Sequence, residues 1–396
     1  MKPRHTVQQI LRQAVWDEQV NLFSRQVLTN LANCRTAALG YHHFQCDDPH
    51  CRHVHYRYHS CRNRHCPSCN WQRQDEWQEA RMNELLPVKY FHVVFTLPHE
   101  LNALVMGNRR ILFKLLFDSA SRCLLMLCHD SKWLGATPSI TSVLHTWGQQ
   151  LSFHPHVHCI VSGGGADKHN RWHNLKKSVR YGFLFPYKVM EPIFKGYFLD
   201  HLDKLIRQEK VKVPSDLHWN RLKDTLYHKE WLVYAKQPMG SVSQVVEYLA
   251  RYAHKVAISN YRILEITESG VRFRYKDYAD HKRMKTMVLP LDEFVRRFEQ
   301  HILPKGFVKM RHYGILGNYR RKQRVNAILA AMQLPPHPPT VKIPYQIRML
   351  EKYGVDVTLC PKCKTGRLIL VAVVLPMNRG SPVAVKNDTT HEKTQA

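Results

Sequence analysis

The segment that most constrains the fold of this chain is SFHPHVHCIVSGGG, residues 152–165. Successive side chains of a β-strand point to opposite faces of a sheet, so positions of the same parity share a face. Here the odd-numbered positions are apolar and predict a face packed in a core, whereas the even-numbered positions are rich in histidine. The odd face comprises Leu151, Phe153, Val157, Cys159 and Val161, and the even face comprises Ser152, His154, His156, His158 and Ile160.

Two of these histidines, His156 and His158, are placed to share one metal ion. Side chains two residues apart on a strand are separated by about 6.6 Å, a distance that two imidazoles can span around an ion. His154 would lie about 13 Å from His158 on a regular strand, too far unless Pro155 introduces a bend. The alternative is a hydrated face of histidines without a ligand.

The charge of the chain points to a nucleic acid as the partner. Among 396 residues, 59 are Lys or Arg and 31 are Asp or Glu, which gives a formal net charge of +28. An excess of this size is typical of proteins that bind nucleic acids, although a basic protein without such a partner is the alternative. The hydrophobic fraction of 44% is that of a folded, globular chain.

Neither a leader nor a membrane span is expected from the apolar segments. Residues 1–5 begin no apolar stretch of the kind that a signal peptide contains, and the longest apolar run, residues 368–375, is too short to cross a bilayer. We therefore expect a cytoplasmic protein with no membrane partner, and a buried strand at residues 368–375. In a reducing compartment, its 11 cysteines favour metal binding over disulfides.

Cysteines are concentrated in residues 34–70, where CPSC has the spacing of a zinc knuckle. The predicted structural Zn²⁺ site is tetrahedral and consists of Cys46, Cys51, Cys66 and Cys69. Substitutes in this site, or ligands of a second one, are Cys61, His65, Cys34, His50, His53 and His55.

Other parts of the cysteine pattern leave alternatives open. A second knuckle, CPKC, contains Cys360 and Cys363 but has no partner pair nearby in the sequence. It is either half of a site completed by distant residues or a simple turn. Arg62 and Arg64, between the N-terminal cysteines, suit contacts with DNA phosphates, with hydrated surface charges as the alternative.

Residues 241–257 predict a helix that carries two tyrosines, Tyr248 and Tyr252. Because they are four residues apart, their side chains share one face of the helix. They lie at the edge of an apolar stripe, next to a basic side that includes Arg251 and Lys255, which we predict to contact DNA. Such phenols suit nucleophilic attack on a phosphate. Boundary tyrosines with a buried ring and a hydrated hydroxyl are the ordinary alternative.

Taken together, these motifs resemble the two-tyrosine HUH transposases of the IS91 family, over roughly residues 10–365. The similar motifs, in family order, are CRTAALG, SCRNRHCPSC, FTLPHEL, LHTWGQ, HPHVHCIVSGGG, YLARYAHKVAISN, KDY and RHYGILGN. The resemblance implies an α+β fold in which a Rep-like, ferredoxin-like antiparallel sheet forms an HUH nuclease core. The domains expected are a zinc-binding, DNA-binding domain at 1–85, the nuclease core at 86–280, a helical and knuckle-like extension at 281–376 and a disordered tail at 377–396.

The resemblance also implies the activity, which is rolling-circle DNA transposition. In such enzymes the HUH histidines, here His156 and His158, hold a divalent ion, Mg²⁺ or Mn²⁺, that polarises the scissile phosphate. A tyrosine, here Tyr248 or Tyr252, attacks and forms a 5′-phosphotyrosine link to the cleaved strand. The implied partners are single-stranded DNA at the element ends and target DNA, and the implied location is the bacterial cytoplasm, at the nucleoid.

The third ligand of the divalent ion is not fixed by the motif. We expect Gln149, seven residues before His156, with Gln150 and Gln244 as alternatives. Two rival functions differ in class. A zinc-dependent DNA-binding protein without catalysis has no need of the histidine and tyrosine pairs. A phosphoesterase with two His-x-Ser/Thr motifs is disfavoured because the chain offers a single His-x-His pattern.

Overall fold

A computed structural model describes most of the chain. The described residues are 3–15, 20–69, 74–75, 77–78, 81, 84–176, 184–236, 244–248, 255–278, 280–339 and 343–376. Two residues with predicted roles, Tyr252 and Arg251, lie outside them, as does the tail at 377–396. The described part combines helices with antiparallel sheets, which is the mixture that the sequence predicts. No helix within it is long and apolar enough to span a bilayer.

The helices and strands alternate along the chain in no simple repeat. The helices are α1 Val7–Gln13, α2 Leu22–Ala32, α3 Asn102–Gly107, α4 Arg109–His129, α5 Tyr187–Arg207, α6 Trp219–His228, α7 Leu291–Glu299, α8 Arg321–Ala331 and α9 Tyr345–Tyr353, with 3-10 turns at Ala37–Leu39, His99–Leu101 and Asn260–Arg262. The strands are β1 Tyr41–Cys46, β2 Val54–Tyr58, β3 Tyr90–Thr96, β4 Thr137–Trp147, β5 Phe153–Ala166, β6 Trp172–Asn174, β7 Val233–Ala235, β8 Ile263–Thr267, β9 Gly270–Asp277, β10 Arg283–Leu289, β11 Met310–Gly314 and β12 Leu368–Val374. Residues 244–248, which are also helical, are called the tyrosine segment below.

The central sheet has the strand order β11-β4-β5-β3-β7, with β6 paired to the end of β5, and all its neighbours are antiparallel. The predicted alternation is confirmed within β5, because Val157, Cys159 and Val161 are all fully buried, whereas Leu151 precedes the strand and packs in another core. These side chains pack with α3, α4 and α5 in the largest apolar core. The histidines of β5 therefore lie on the opposite face of the sheet.

A second sheet, with the order β10-β9-β8, packs against the N-terminal helices. Helix α1 begins at a capping box in which the hydroxyl of Thr6 accepts from Gln9 and the Gln9 side chain accepts from Thr6. The backbone amide of Val7 donates to Asn260, next to β8, at 3.0 Å. The N-terminal residues are thus packed against a part of the chain that lies about 250 residues away.

A third sheet, with the order β12-β1-β2, pairs a strand near the C-terminal end of the described residues with a hairpin of the N-terminal region. The sequence predicts a buried strand at residues 368–375, and that prediction is wrong about burial. Strand β12 lies at an edge of this small sheet, and the side chains of Ile369 and Val371 are 54% and 44% exposed. The reason is that no apolar layer covers this strand, because none of its side chains belongs to an apolar core of the described residues.

The predicted extension at 281–376 contributes strands to all three sheets. Strand β10 pairs with β9, β11 with β4, and β12 with β1. Backbone pairing therefore crosses the expected boundaries at residues 85 and 280, and the domain limits stay predictions.

Candidate active site and cysteine clusters

Strands β4 and β5 bring three histidines to one face of the central sheet. His145 on β4 lies directly opposite His156 on β5, and opposite residues in an antiparallel pair point to the same face. One ring nitrogen of each of His145, His156 and His158 lies within 4.8 Å of the others. The centroid of the His158 ring is 4.5 Å from that of His145 and 4.9 Å from that of His156. These three residues are called the histidine cluster.

The hydrogen bonds of two cluster histidines leave Nε2 as the nitrogen for a metal. Nδ1 of His156 lies 2.7 Å from the carbonyl oxygen of His154, which can only accept, so Nδ1 carries the hydrogen. Nδ1 of His158 lies 2.8 Å from Nε2 of His92. Burial, followed by the neighbouring histidines, lowers the pKa of His156 to about 3 and puts that of His158 well below its usual value. Both rings are therefore neutral at neutral pH, which is the form that binds metal.

His92, on β3, connects the histidine cluster to Tyr248. Its ring stacks on that of His158, with 5.1 Å between centroids and 10° between planes. Its Nδ1 lies 2.8 Å from the phenolic oxygen of Tyr248. His92 is only 2% exposed, and burial, with Lys236 as the next contribution, lowers its pKa to about 3. A chain of hydrogen bonds therefore runs from Tyr248 through His92 to His158.

The tyrosine segment is fixed by its apolar side. Val245 and Val246 are fully buried, and Tyr248 packs at the edge of the same apolar group. The ammonium nitrogen of Lys236 lies 5.8 Å from the centre of the Tyr248 ring. The boundary position that the sequence predicts for Tyr248 thus places its hydroxyl at the histidine face of the central sheet.

The sequence predicts Gln149 as the third metal ligand, whereas the structure shows a third histidine beside the predicted pair. Gln149 lies in the turn after β4, where its backbone carbonyl accepts a hydrogen bond from Arg262. His145 lies within the strand, and the register places it opposite His156. The structure thus groups His145 with His156 and His158, and Gln149 stays a prediction.

A small basic pocket lies beside the histidine cluster. The cavity has a volume of about 20 Å³, enough for one water-sized group, and Arg64, Lys255 and Lys309 are among its lining residues. None of the described residues that line it is acidic. Nζ of Lys309 donates to the carbonyl of Lys255 at 2.9 Å and lies 5.0 Å from the ring centre of Trp147. The Trp147 ring in turn stacks on His145, with 4.6 Å between centroids.

The positively charged side chains of the basic pocket are partly buried and repel one another. Burial, and then Arg64 and Lys255, lower the pKa of Lys309 to about 7. Burial also lowers the pKa of Arg64, whose guanidinium donates to the carbonyl of Phe307 at 2.5 Å. Arg62, by contrast, is exposed. Of the described residues predicted to contact DNA, Arg64 and Lys255 therefore share this pocket and Arg62 lies on the surface.

The first cysteine cluster consists of Cys34, Cys61, Cys66 and Cys69. The sulfur of Cys34 lies 3.3 Å from that of Cys69 and 3.7 Å from that of Cys66. The sulfur of Cys61 lies 3.7 Å from that of Cys69. The backbone amide of Cys61 points at the sulfur of Cys34 at 3.4 Å, a contact that favours a thiolate. The cluster packs with α1 and α2.

The second cysteine cluster consists of Cys46, Cys51, Cys360 and Cys363. The sulfurs of Cys46 and Cys363 are 3.7 Å apart, and those of Cys51 and Cys360 are 3.9 Å apart. The knuckle CPKC is therefore not an isolated turn. It meets two cysteines that precede it by more than 300 residues.

The structure corrects the predicted grouping of Cys46, Cys51, Cys66 and Cys69 in one zinc site, because the two pairs belong to different clusters. The hairpin of β1 and β2 separates them. Cys46 and Cys51 lie at its closed end, whereas the chain reaches Cys66 and Cys69 only after leaving its open end. His65, an alternative ligand, lies in neither cluster and instead lines the basic pocket.

Sequence reasoning missed His145 and His92 as parts of the site, although local signals for both exist. His145 lies in LHTWGQ, on the strand immediately before the histidine strand. His92 interrupts the apolar run KYFHVVFTL at a position that shares a face with Thr96. A polar residue at an inward position of an apolar strand is the kind of signal that marks a site.

Two protein families match parts of the chain, and known transposases are similar to most of it. Residues 139–324 match the family described as "Putative transposase", and residues 4–97 match the family described as "Transposase zinc-binding domain". The chain is 40% identical over 361 residues to "Putative transposase y4qJ" of Sinorhizobium fredii, covering 88% of this chain and 89% of that protein. It is 29% identical over 356 residues to "Transposase for insertion sequence element IS801" of Pseudomonas savastanoi pv. phaseolicola, covering 88% and 83%. No solved structure matches the chain.

The two matched segments contain different parts of the site. The match at 139–324 contains the histidine cluster, Tyr248 and Lys309, and the match at 4–97 contains all of the first cysteine cluster. Together with a relative that is 40% identical over most of both chains, they agree with the resemblance found in the sequence motifs. The chain belongs to the IS91 family of transposases and carries the zinc-binding domain of that family at its N-terminal end.

Proposed function

We propose that this transposase cuts and rejoins single-stranded DNA at the ends of an insertion element, through a covalent 5′-phosphotyrosine link in rolling-circle transposition. The observation that carries the proposal is the chain of hydrogen bonds that joins Tyr248 to the histidine cluster. A phenol held at 2.8 Å from a buried imidazole, beside three converging histidines, combines a nucleophile with a metal site.

The architecture of the central sheet supports the proposal of an HUH nuclease core. It is antiparallel, helices cover one face, and the His156 and His158 pair lies on the middle strand, β5, of the other face. The tyrosine segment packs on that same face. This is the arrangement in which a nucleophile on a helix and a metal on a sheet act on one phosphate.

The histidine cluster fits a divalent ion held by His145, His156 and His158. We propose His145 as the third ligand in place of Gln149, because its ring already converges with the other two. Three imidazoles suit Mn²⁺ better than Mg²⁺, because Mg²⁺ prefers oxygen ligands. A bound ion would stabilise the negative charge on the non-bridging oxygens of the scissile phosphate.

His92 determines which form of Tyr248 is stabilised. When His158 uses Nε2 as a ligand nitrogen, its Nδ1 carries the hydrogen and donates to Nε2 of His92. His92 then carries its own hydrogen on Nδ1 and donates it to the oxygen of Tyr248. An N–H group that points at the phenolic oxygen stabilises the phenolate, which is the nucleophilic form.

The proposed cleavage exchanges one phosphate ester for another. The oxygen of Tyr248, after losing its proton to water, forms a bond to phosphorus while the bond from phosphorus to the 3′ oxygen breaks. The 3′ oxygen takes a proton from water and leaves as a 3′-hydroxyl. The phosphodiester is conserved in the tyrosine link, so a later 3′-hydroxyl can reverse the exchange without ATP. Tyr252 is the proposed second nucleophile, which permits a second cut before the first link is resolved.

The basic pocket is the proposed contact for a neighbouring phosphate of the same strand. Arg64, Lys255 and Lys309 converge there without an acidic residue among the described lining residues, and Trp147 connects the pocket to His145. A phosphate oxygen fits a volume that holds one water-sized group. Its negative charge would offset the burial and the repulsion by Arg64 and Lys255, which together lower the pKa of Lys309 to about 7.

We expect Lys309→Gln to weaken the binding of single-stranded DNA and to reduce its salt dependence. Each phosphate neutralised by a cation contributes about −0.7 to the slope of log K against log salt, so the loss of Lys309 should make the slope less steep by about that amount. Fluorescence anisotropy with a labelled oligonucleotide over a salt series measures both quantities. The matched control is Lys210→Gln, an exposed lysine beyond α5. Equal slopes for the two variants would remove Lys309 from the DNA contact.

The first cysteine cluster is the proposed structural zinc site of the family's zinc-binding domain. Four sulfurs converge at 3.3–3.7 Å in it. Exposed Arg62, next to Cys61, then becomes a DNA contact held in place by the metal. We propose that the enzyme acts on DNA of the bacterial nucleoid, in the cytoplasm.

The test uses the purified full-length chain and oligonucleotides that tile both strands of the DNA flanking its gene. With Mn²⁺, we expect one single-stranded tile at each flank to give a protein–DNA adduct that survives denaturation. A 3′ label should stay with the protein and a 5′ label should be released with a free 3′-hydroxyl. Duplex forms of the same tiles should give no adduct. DNA binding without an adduct on any tile would instead support a non-catalytic zinc-dependent DNA-binding protein.

A further inference from the structure

The second cysteine cluster has the dimensions of a four-thiolate zinc site. With a Zn–S bond of 2.3 Å, the edge of a tetrahedral site measures about 3.8 Å. The sulfur distances of 3.7 Å between Cys46 and Cys363 and 3.9 Å between Cys51 and Cys360 agree with that edge. The four sulfurs all lie within 4.8 Å of one another. They therefore converge on one point and do not form two separate pairs.

The backbone around this cluster is shaped to hold sulfur. The amide of Gly366 points at the sulfur of Cys363 at 3.3 Å, as backbone amides do in a zinc knuckle. A Cβ atom added to Gly366 would lie 2.4 Å from the sulfur of Cys46 and 2.9 Å from a carboxylate oxygen of Asp47. Only glycine therefore allows the C-terminal knuckle to approach Cys46 this closely.

Contacts around the cluster join two segments that are far apart in the sequence. Strand β12 pairs with β1 from Leu368 to Val374, and at the start of that pairing the backbone amide of Asp47 donates to the carbonyl of Arg367 at 2.9 Å. The amide of Arg367 also donates to the Asp47 carboxylate at 2.6 Å. Farther along, Lys352 on α9 forms an ion pair with Asp75 at 2.8 Å.

The C-terminal segment makes few apolar contacts with the rest of the described chain. Much of β12 is exposed, and none of the residues of α9 is buried. A segment with so little buried surface gains little from the hydrophobic effect, so its position needs another source of stability. A metal bound by two ligands from each segment is such a source.

We propose that Cys46, Cys51, Cys360 and Cys363 bind a second structural Zn²⁺, which fastens the C-terminal segment 343–376 to the hairpin of β1 and β2. The zinc-binding domain of this chain is then completed by residues outside the family match at 4–97. Its second metal site forms only after the C-terminal knuckle has been synthesised. The proposal does not depend on the assignment of the nucleophile.

The first test is the zinc content of the full-length chain by native mass spectrometry. We expect two zinc ions per chain in the wild type and one in both Cys363→Ala and Cys46→Ala, because these residues share a site. The matched control is Cys128→Ala, a cysteine of the apolar core, which should keep two. Hydrogen exchange at residues 368–374 should become faster in Cys363→Ala and stay unchanged in the control.

A second measurement needs no variant and so holds even where a substitution impairs folding. In the native wild type, thiol alkylation should spare Cys46, Cys51, Cys360 and Cys363 as a group, and a chelator should expose all four together. Three results would overturn the proposal. They are two zinc ions retained by Cys363→Ala, a wild type with one zinc and freely alkylated Cys360 and Cys363, or a mass that shows two disulfides among the four.

Discussion

Replacing both tyrosines, Tyr248→Phe with Tyr252→Phe, should abolish the covalent adduct with single-stranded DNA, to below the limit of detection. Each substitution removes one oxygen and leaves the ring, so the packing of Tyr248 with Val245 and Val246 is preserved. A free phenol has a pKa of about 10, so an unassisted tyrosine elsewhere on the surface is a poor nucleophile at neutral pH. Each single variant should at least lose complete strand transfer. The measurement is the adduct retained on a denaturing gel.

The control variant is Tyr227→Phe, an exposed tyrosine on α6, which should form the adduct as the wild type does. Circular dichroism and DNA affinity should be the same in all these variants. His92→Phe, which keeps an aromatic ring but no nitrogen beside Tyr248, should slow adduct formation by about 10–100-fold, as the loss of outer partners of metal ligands does. An adduct formed by the double tyrosine variant at the wild-type rate would place the nucleophile elsewhere.

Replacing His145 by alanine should reduce cleavage by at least about 100-fold, because the loss of a direct ligand should exceed the 10–100-fold effect of losing an outer partner. It should also weaken the binding of Mn²⁺, which isothermal titration calorimetry measures without any reaction. Excess Mn²⁺ should restore part of the activity, since His156 and His158 remain. In the double variant His156→Ala with His158→Ala, the same excess should restore little.

The matched control is His154→Ala, on the same strand as the two β5 ligands. The carbonyl that accepts from Nδ1 of His156 belongs to the backbone of residue 154 and survives the substitution. This variant should therefore bind Mn²⁺ and cleave nearly as the wild type does. Gln149→Ala separates the two candidates for the third ligand. If it lost Mn²⁺ while His145→Ala kept it, the turn after β4 would hold the ligand and the histidine cluster would be incomplete.

Much of the framework followed from local patterns in the sequence. The alternation in residues 153–161 predicted which side chains of β5 face the largest apolar core, and Val157, Cys159 and Val161 confirm it. Alternation can be read from the sequence because strand geometry forces each side chain to one face, whatever the strand pairs with. The family followed in the same way, since its motifs are short and contiguous in the chain.

Ligand sets were harder to predict, because sequence proximity is a poor guide to distance in space. Cys46 and Cys51 are near Cys66 and Cys69 in the chain, yet the β1–β2 hairpin directs the two pairs to different clusters. The partners of Cys46 and Cys51 are more than 300 residues away. Only the pairing of β12 with β1 brings Cys360 and Cys363 to them.

The sequence by itself determined the parity of β5, the nucleic-acid partner suggested by a charge of +28, and the family. The tertiary structure alone decided which residues meet across strands. The register of β4 on β5 brought His145 opposite His156. The pairing of β3 with β5 placed His92 between His158 and Tyr248. Register and strand order are set by the packing of whole sheets and by the turns that join them, so no single segment of the sequence encodes them.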